Sequence, residues 1–274
     1  MEANDIPFAM GLTASEGWSD IPSDFEALLG YSPNAVFVAE RSKEKLGMVS
    51  AVSYGAFGFI GCLIVQKERR NRGIGTELTR YAADHLERLG NERIFLDAVQ
   101  EAIPLYERLG FRRVCYSMRF RGCVQCRPDS RIRPIHDDDI SSVLALDMRV
   151  FGADRSYFLR HSLDNYRNTC RVATQDGRIM GYCLATQTQK VLRIGPLVVD
   201  SGADTAECLI RGVTCEEGPV RASVGVLERN SEAIALYRNI GLQETTPSVR
   251  MIRGGPVPER VCGEEFGIGS PARG

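Results

Sequence analysis

The 274-residue sequence lacks any run of eighteen apolar residues, and its N-terminus lacks the charged-then-apolar pattern of a secretory signal. We therefore expect neither a membrane-spanning helix nor export, and predict a cytoplasmic protein. A dominant charge is missing as well, because 34 Lys and Arg residues face 35 Asp and Glu residues. The charge balance gives no indication of nucleic acid as a partner.

The cysteines are not arranged as metal ligands. Nine cysteines are scattered without framework spacing. Cys123 and Cys126 form a lone Cys-x-x-Cys pair with no second pair and no histidine nearby, so no metal site is predicted. The odd number of cysteines, in a chain without a signal sequence, indicates reduced thiols.

A basic glycine loop is the most informative stretch. Residues 57–65 form an apolar run that predicts a buried strand, and residues 77–89 have apolar positions at helical spacing. The loop between them reads Lys67-Glu-Arg-Arg-Asn-Arg-Gly-Ile-Gly-Thr76, with four positive charges within six residues. Amides at a helix start attract anions, and glycines let the backbone come close to them. We predict a diphosphate-binding loop.

Spacing separates the possible kinds of glycine loop. A Walker loop ends in Gly-Lys-Ser/Thr, but Gly75 is followed by Thr76 and Glu77. A dinucleotide-binding loop needs a third glycine where Leu78 stands. Residues 70–75 fit Arg/Gln-x-x-Gly-x-Gly/Ala instead. A basic surface turn at a helix start remains the structural alternative.

A short helix containing a tyrosine follows the loop unit. Residues 93–99 predict an apolar strand, and the next segment contains Ala102, Tyr106 and Gly110, with Gly110 placed as a C-terminal helix cap. In order and distance, the two motifs resemble those of the GNAT superfamily of N-acetyltransferases. The chain departs from that pattern at Val99 and Lys67, where the superfamily usually has asparagine and proline.

The resemblance implies a site for acetyl-CoA as acyl donor. Loop amides would hold the pyrophosphate of coenzyme A, and Tyr106 would act as general acid to the departing thiolate. Cofactor-binding residues would be Leu63, Ile64, Val65, Arg70, Asn71, Arg72, Gly73, Ile74, Gly75, Thr76 and Tyr106.

Three further residues are candidates for the acceptor side of the site. Asp97 ends an apolar strand, so it is a candidate general base or an anchor for the acceptor ammonium, with a loop cap as the alternative. Trp18, the only tryptophan, either forms part of the acceptor pocket or covers a gap between helices. Tyr54, near the end of a predicted strand, is a candidate for lining the same cleft.

The sequence also contains an internal repeat. Residues such as Ile60-Gly61 recur as Ile194-Gly195, displaced by 134 positions, and Tyr106 recurs as Tyr237, displaced by 131. In the second copy, residues 200–207 replace the basic loop with three carboxylates and no Arg or Lys. Like charge would repel a diphosphate there, so the second copy is expected to keep the fold without the loop's function. Its Tyr237 helix is interpreted as structural, with a catalytic role as the alternative.

Together these features predict an α/β protein of two tandem GNAT-like domains, each a mixed central β-sheet flanked by helices. The predicted boundaries are 1–122 for the catalytic copy, 131–253 for the degenerate copy and 254–274 for a loosely ordered tail. The N-terminal copy would move an acetyl group from acetyl-CoA to the amine of a small molecule. A non-catalytic acyl-CoA sensor and a protein amine acetyltransferase remain alternatives, and the sequence does not indicate the oligomeric state.

Overall fold

The chain alternates helices and strands, as the sequence periodicity predicts. A computed structural model describes residues 1–32, 34–200, 202–215, 220–257 and 263–274. The helices are α1 (Ile6–Ser15), α2 (Pro22–Tyr31), α3 (Ile74–Arg88), α4 (Ile103–Arg108), α5 (Ile140–Phe151), α6 (Ser156–Tyr166), α7 (Gly202–Gly212) and α8 (Ser231–Asn239). The strands are β1 (Val36–Arg41), β2 (Glu44–Ser53), β3 (Gly58–Val65), β4 (Arg93–Ala98), β5 (Arg112–Val124), β6 (Ile132–Pro134), β7 (Arg171–Gln175), β8 (Arg178–Gln187), β9 (Leu192–Val199), β10 (Val220–Leu227), β11 (Gln243–Gly254) and β12 (Glu265–Gly267).

The first unit comprises Met1–Val114, Val249–Val257 and Pro271–Gly274. Its strands follow the order β1–β2–β3–β4, and the last part of β11 pairs antiparallel with β4. The apolar face of α3 packs on this sheet, because Leu78, Ala82 and Leu86 recur at helical spacing and meet Ile60 and Leu96. Burying each such leucine contributes about 1.5–3 kcal/mol. This packing fixes the start of α3 at the carboxyl end of β3.

The second unit comprises Cys115–Ser248 and the described part of Pro258–Ser270. Its strands follow the order β5–β10–β9–β8–β7–β6, and β12 pairs with β9. The elements from β7 to α8 repeat the order of those from β1 to α4, so the repeat seen in the sequence is a repeat of structure. The mixed sheets flanked by helices confirm the predicted fold.

Two strands belong to both units. β5 has residues 112–114 in the first unit and the rest in the second, whereas β11 has residues 243–248 in the second unit and 249–254 in the first. The division of the chain therefore differs from the boundaries 1–122 and 131–253. Those boundaries assumed that each copy is continuous in sequence, and the strand exchange breaks this assumption.

The tail from residue 254 also differs from its prediction. Phe266 is fully buried and Ile268 is 3% exposed, so residues 263–274 are ordered parts of the two units rather than a loose tail. Residues 258–262 lie outside the described residues. The glycine and proline content indicates disorder, but the Phe266 and Ile268 side chains are buried and hold this segment in place.

Cys126 and Cys215 form a disulfide, so the expectation of reduced thiols is wrong for this pair. The fold brings the two residues, 89 positions apart, to a Cα separation of 4.6 Å. Within the described residues, no cluster of three His, Cys, Asp or Glu side chains could hold a metal ion. No helix in the described ranges has the length and apolar character needed to cross a membrane.

Candidate active site

The sheet of the first unit opens between β3 and β4. Their parallel ladder runs from Gly58 and Ile94 to Ile60 and Leu96, although β3 continues to Val65. A bulge in β3 accompanies the opening, since residues 62 and 63 stand opposite one residue of β2 and the φ angle of residue 62 is 48°. In the described part of the chain, no other strand pairs with β3 on this side. The backbone of residues 61–65, which includes the predicted Leu63, Ile64 and Val65, therefore faces an opening.

The predicted phosphate loop connects this part of β3 to α3. Gly73 precedes the helix with a φ angle of 83°, a left-handed conformation that suits glycine. The first intrahelical hydrogen bond is donated by the Glu77 amide to the Gly73 carbonyl (3.0 Å). The amides of Ile74, Gly75 and Thr76 thus lie at the end of the helix, where they and the helix dipole favour an anion.

The basic side chains of the loop have different roles. Arg70 donates from Nε to the Val65 carbonyl (3.0 Å) and pairs with Glu16 (2.5 Å), so it fastens the loop to β3 and to the end of α1. Arg72 is exposed and has no hydrogen bond or ion pair within the described residues. Arg72 is therefore the loop guanidinium best placed to meet a bound phosphate.

Gly75 is a packing position. A β-carbon there would lie 3.3 Å from Leu105 Cδ1 and 3.8 Å from Val65 Cγ2. Its missing side chain lets α3 approach α4 and β3 closely. The neighbouring Glu77 would oppose an anion at the helix start, but its carboxylate pairs with Arg80.

Tyr106 lies on α4 beside the same core. Its side chain is 6% exposed and stacks edge-on against Phe111, with ring centroids 5.9 Å apart. Burial raises the pKa of the Tyr106 phenol above its usual value of about 10, so the hydroxyl keeps its proton at neutral pH. Among the described residues, this hydroxyl has no hydrogen-bond partner.

Asp97 is engaged in a buried ion pair that the sequence did not reveal. Arg250 of β11 lies directly opposite Asp97 of β4, and its guanidinium binds the carboxylate through two nitrogens. The two side chains are 6% and 0% exposed, and the guanidinium lies 5.0 Å from the centre of the Phe59 ring. A carboxylate held in this way positions its surroundings more readily than it accepts a proton.

The remaining predicted residues, Trp18 and Tyr54, lie in connecting segments of the first unit. Trp18 is half-buried in the loop after α1, where its amide donates to the Thr13 carbonyl (3.0 Å). Tyr54 follows β2, is 8% exposed, and donates to the Arg273 carbonyl (2.7 Å).

In the second unit, a strand of the protein itself fills the corresponding opening. The ladder of β9 with β10 ends at Ile194 and Val224, just as that of β3 with β4 ends at Ile60. Beyond it, β12 pairs antiparallel with β9 at residues 197 and 198, and the Ile268 amide donates to the Gly225 carbonyl of β10 (2.9 Å). The second unit thus pairs this side of β9 with a strand, whereas no described strand pairs with the equivalent side of β3.

In the second unit, the helix-start amide and the tyrosine hydroxyl also have hydrogen-bond partners within the protein. The Glu232 carboxylate accepts a hydrogen bond from the Ala203 amide at the start of α7 (3.0 Å), which is the position of an anion at a helix start. The Tyr237 hydroxyl, the counterpart of that of Tyr106, donates to the Phe266 carbonyl of β12. Both Tyr237 and Phe266 are fully buried.

The ion pair of the first unit is absent from the second. The register of β9 with β10 places Gly225 at the position that Asp97 has in the first unit. Arg119, displaced by 131 positions from Arg250, lies opposite Gly225 and donates instead to Ser117 (2.7 Å) and Ser248 (2.9 Å). The second unit has kept the arginine and lost the carboxylate.

Two sequence profiles match the chain. The profile of the "Acetyltransferase (GNAT) family" matches residues 8–111, and that of the "Acetyltransferase (GNAT) domain" matches residues 143–267. The uncharacterized N-acetyltransferase YitH of Bacillus subtilis (strain 168) is 27% identical over 218 residues, which are 78% of this chain and 76% of that protein.

Solved structures share the fold of the whole chain. A putative acetyltransferase from Pyrococcus horikoshii has a TM-score of 0.86 at 23% identity, with 100% of this chain and 94% of that chain covered. A tandem GNAT protein from the clavulanic acid biosynthesis pathway has a TM-score of 0.66 at 16% identity, with 94% and 98% covered. With both units matched, the protein belongs to the GNAT family as a tandem member and is an acyltransferase enzyme.

Proposed function

We propose that the first unit transfers an acetyl group from acetyl-CoA to the amine of a small molecule, and that the second unit binds no donor. The contrast between the two openings carries this proposal. In the first unit, no described strand pairs with residues 61–65 on the side toward β4, and a basic loop follows them. In the second unit, β12 and Glu232 occupy the equivalent groups.

The residues of the first unit fit coenzyme A. The amides of Ile74, Gly75 and Thr76, together with Arg72, would hold the diphosphate, and the backbone of residues 63–65 would hold the amide-containing arm. When bound, acetyl-CoA supplies the thioester that an amine attacks. Asn71, whose φ angle is 61°, shapes the turn that presents these amides.

Tyr106 would supply the proton that the departing thiolate needs. The phenol is protonated at neutral pH because burial raises its pKa, so it can donate its proton as negative charge develops on the sulfur. A thiol usually titrates near 8.5, below the phenol, so this transfer is uphill by itself and is completed when the phenolate regains the proton that the newly acylated nitrogen releases. The acceptor must lose a proton before it attacks. Asp97 would influence this step through the charge it shares with Arg250, as a positioning residue rather than as a base that contacts the amine.

Native mass spectrometry with CoA tests the division between the units. One CoA per chain is expected, and it should be lost in the Arg70→Glu/Arg72→Glu variant. A screen of amines for acetyl-CoA-dependent thiol release then tests catalysis, with Tyr106→Phe as the inactive control. Binding without turnover of any amine would favour an acyl-CoA sensor. Two CoA per chain, or one that survives the double substitution, would contradict the assignment.

A further inference from the structure

The segment Pro271–Gly274 lies against the point where β3 and β4 separate. Gly61 is the first residue of β3 beyond the parallel ladder. A β-carbon at Gly61 would lie 2.3 Å from the Ala272 carbonyl oxygen and 2.5 Å from its Cα, which is too close for any side chain. Glycine at this position is therefore required by the backbone of Ala272 that covers it.

Two further contacts hold the segment in the first unit. The Tyr54 hydroxyl donates to the Arg273 carbonyl (2.7 Å), and the Arg273 guanidinium lies 3.8 Å from the Asp24 carboxylate of α2. Gly274 is buried. These contacts indicate a packed part of the fold.

The segment shares a face of the sheet with Asp97. Tyr54 packs against Phe57, and Phe57 stacks edge-on against Phe95 with centroids 5.5 Å apart. Phe95 and Asp97 are two residues apart on β4, so their side chains project from the same face, whereas Leu96 between them packs toward α3. The segment, Tyr54 and Asp97 are thus on the face opposite α3.

If the proposed function holds, the segment Pro271–Gly274 lies beside the acyl end of the bound donor. The loop follows Val65, and the strand from Val65 back to Gly61 spans about 13 Å at the usual rise per residue. An extended donor anchored at the loop directs its acyl end along this strand toward Gly61. The attacking amine must arrive beside that end, next to Ala272.

We propose that Pro271–Gly274 forms a wall of the acceptor pocket and limits the size of the amine that the enzyme accepts. The second unit has the same close contact between a strand glycine and a covering segment. A β-carbon at Gly195, the counterpart of Gly61, would lie 2.1 Å from the Ile268 carbonyl oxygen. There, β12 also covers the strand beyond the glycine, whereas in the first unit Ala272 covers Gly61 and no described strand pairs with residues 63–65 on this side.

The test compares the full chain with a deletion of residues 271–274 and with Gly61→Ala, which should displace Ala272. Gly11→Ala is the matched control, because a β-carbon at Gly11 meets nothing within 4 Å. CoA binding is measured by calorimetry, and folding by thermal unfolding. Thiol release from acetyl-CoA is followed without amine and with primary alkylamines and arylalkylamines of increasing size.

Both altered proteins should bind CoA as the full chain does, because the segment lies away from the loop. Removing a steric wall should improve kcat/KM for the larger amines by about tenfold or more relative to the smallest, and should raise hydrolysis of acetyl-CoA in the absence of amine. Gly11→Ala should change neither. If no amine is used by any of the proteins, a rise in hydrolysis on deletion supports the wall.

The wall proposal would be wrong if CoA bound normally while the dependence of kcat/KM on amine size and the hydrolysis of acetyl-CoA were both unchanged. The proposed function would not be affected by that result. Failure of every protein, including the full chain, to bind CoA would overturn the proposed function itself, and the wall with it. The two failures are therefore distinguishable.

Discussion

Asp97 and Arg250 are 153 positions apart in the sequence, yet they face each other across two paired strands and form an ion pair with almost no exposure to solvent. The strand that brings Arg250 begins in the second unit and ends in the first. A carboxylate fully bonded to a guanidinium neutralises it, so the pair fixes the strand register on the face that carries Tyr54. We therefore interpret Asp97 as a positioning residue that acts through its ion pair with Arg250.

Breaking the pair should cost stability. Asp97→Asn leaves the Arg250 charge buried without its counter-charge, and such changes typically cost about 3–5 kcal/mol of unfolding free energy. Urea unfolding measures the loss. The double variant Asp97→Leu/Arg250→Met, which removes both charges, should recover much of it. An Asp97→Asn protein of unchanged stability, with turnover lost and the acid limb of its pH profile gone, would identify Asp97 as the base instead.

The two equivalent tyrosines should respond differently to loss of the hydroxyl. Tyr106→Phe should lower kcat by about a hundred- to ten-thousand-fold with little change in CoA affinity, because a general acid is removed. Tyr237→Phe should leave kcat unchanged and lower the unfolding free energy by about 1–3 kcal/mol, because the buried Phe266 carbonyl loses its donor. Steady-state kinetics and thermal unfolding of both variants test these two predictions. A fall in kcat of less than about threefold for Tyr106→Phe, far below the usual range, would mean that Tyr106 only packs.

The pH dependence follows from the raised pKa of the Tyr106 phenol. The hydroxyl stays protonated to a higher pH than an exposed tyrosine, whose pKa is about 10. As pH rises, more of an alkylamine acceptor is in the attacking neutral form, so kcat/KM should increase from about pH 6 to about pH 9.5 without an alkaline decline. An alkaline decline below about pH 9 in the wild-type protein that disappears in Tyr106→Phe would show that the phenol loses its proton early.

Charge reversal in the loop should weaken CoA binding in a salt-dependent way. Each charge-assisted hydrogen bond lost costs about 1.5–3 kcal/mol, or roughly ten- to a hundredfold in Kd. Arg72→Glu should show this loss without a change in Tm, since Arg72 is exposed and has no hydrogen bond or ion pair within the described residues. Arg41→Glu, an exposed arginine at the end of β1, is the control. Equal affinities for CoA in Arg72→Glu and Arg41→Glu at low salt would exclude Arg72 from the site.

Local sequence patterns predicted the elements that carry the candidate site. The loop, the helix start and the Tyr106 helix each depend on neighbours within one strand–loop–helix segment, so spacing and capping residues were sufficient. Arg250 could not be assigned, because no local pattern tells which distant strand will pair with β4. The displacement of 131 positions between Arg119 and Arg250 was the available signal.

Local patterns also could not predict that β12 pairs with β9 in the second unit. Phe266 and Ile268 stand in a stretch rich in glycine and proline, which resembles a disordered tail in composition. Their order depends on an unpaired strand edge elsewhere in the fold that accepts them. The acidic interval showed that the second copy lacks the basic loop, but the carboxylate that accepts from the Ala203 amide at the helix start belongs to Glu232, outside that interval.

The exchange of β5 and β11 has a consequence for how this gene could change. A truncation at residue 122 would remove from the first unit the strand that carries Arg250, and would leave the edge of β4 without its neighbour. The first unit therefore needs residues 249–254 to complete its sheet, and the N-terminal copy should not fold after loss of the C-terminal copy. Neither half should yield a folded protein when expressed alone, whereas the two fragments produced together should reassemble. Duplication followed by strand exchange thus makes the second copy necessary for folding, whether or not that copy binds a donor.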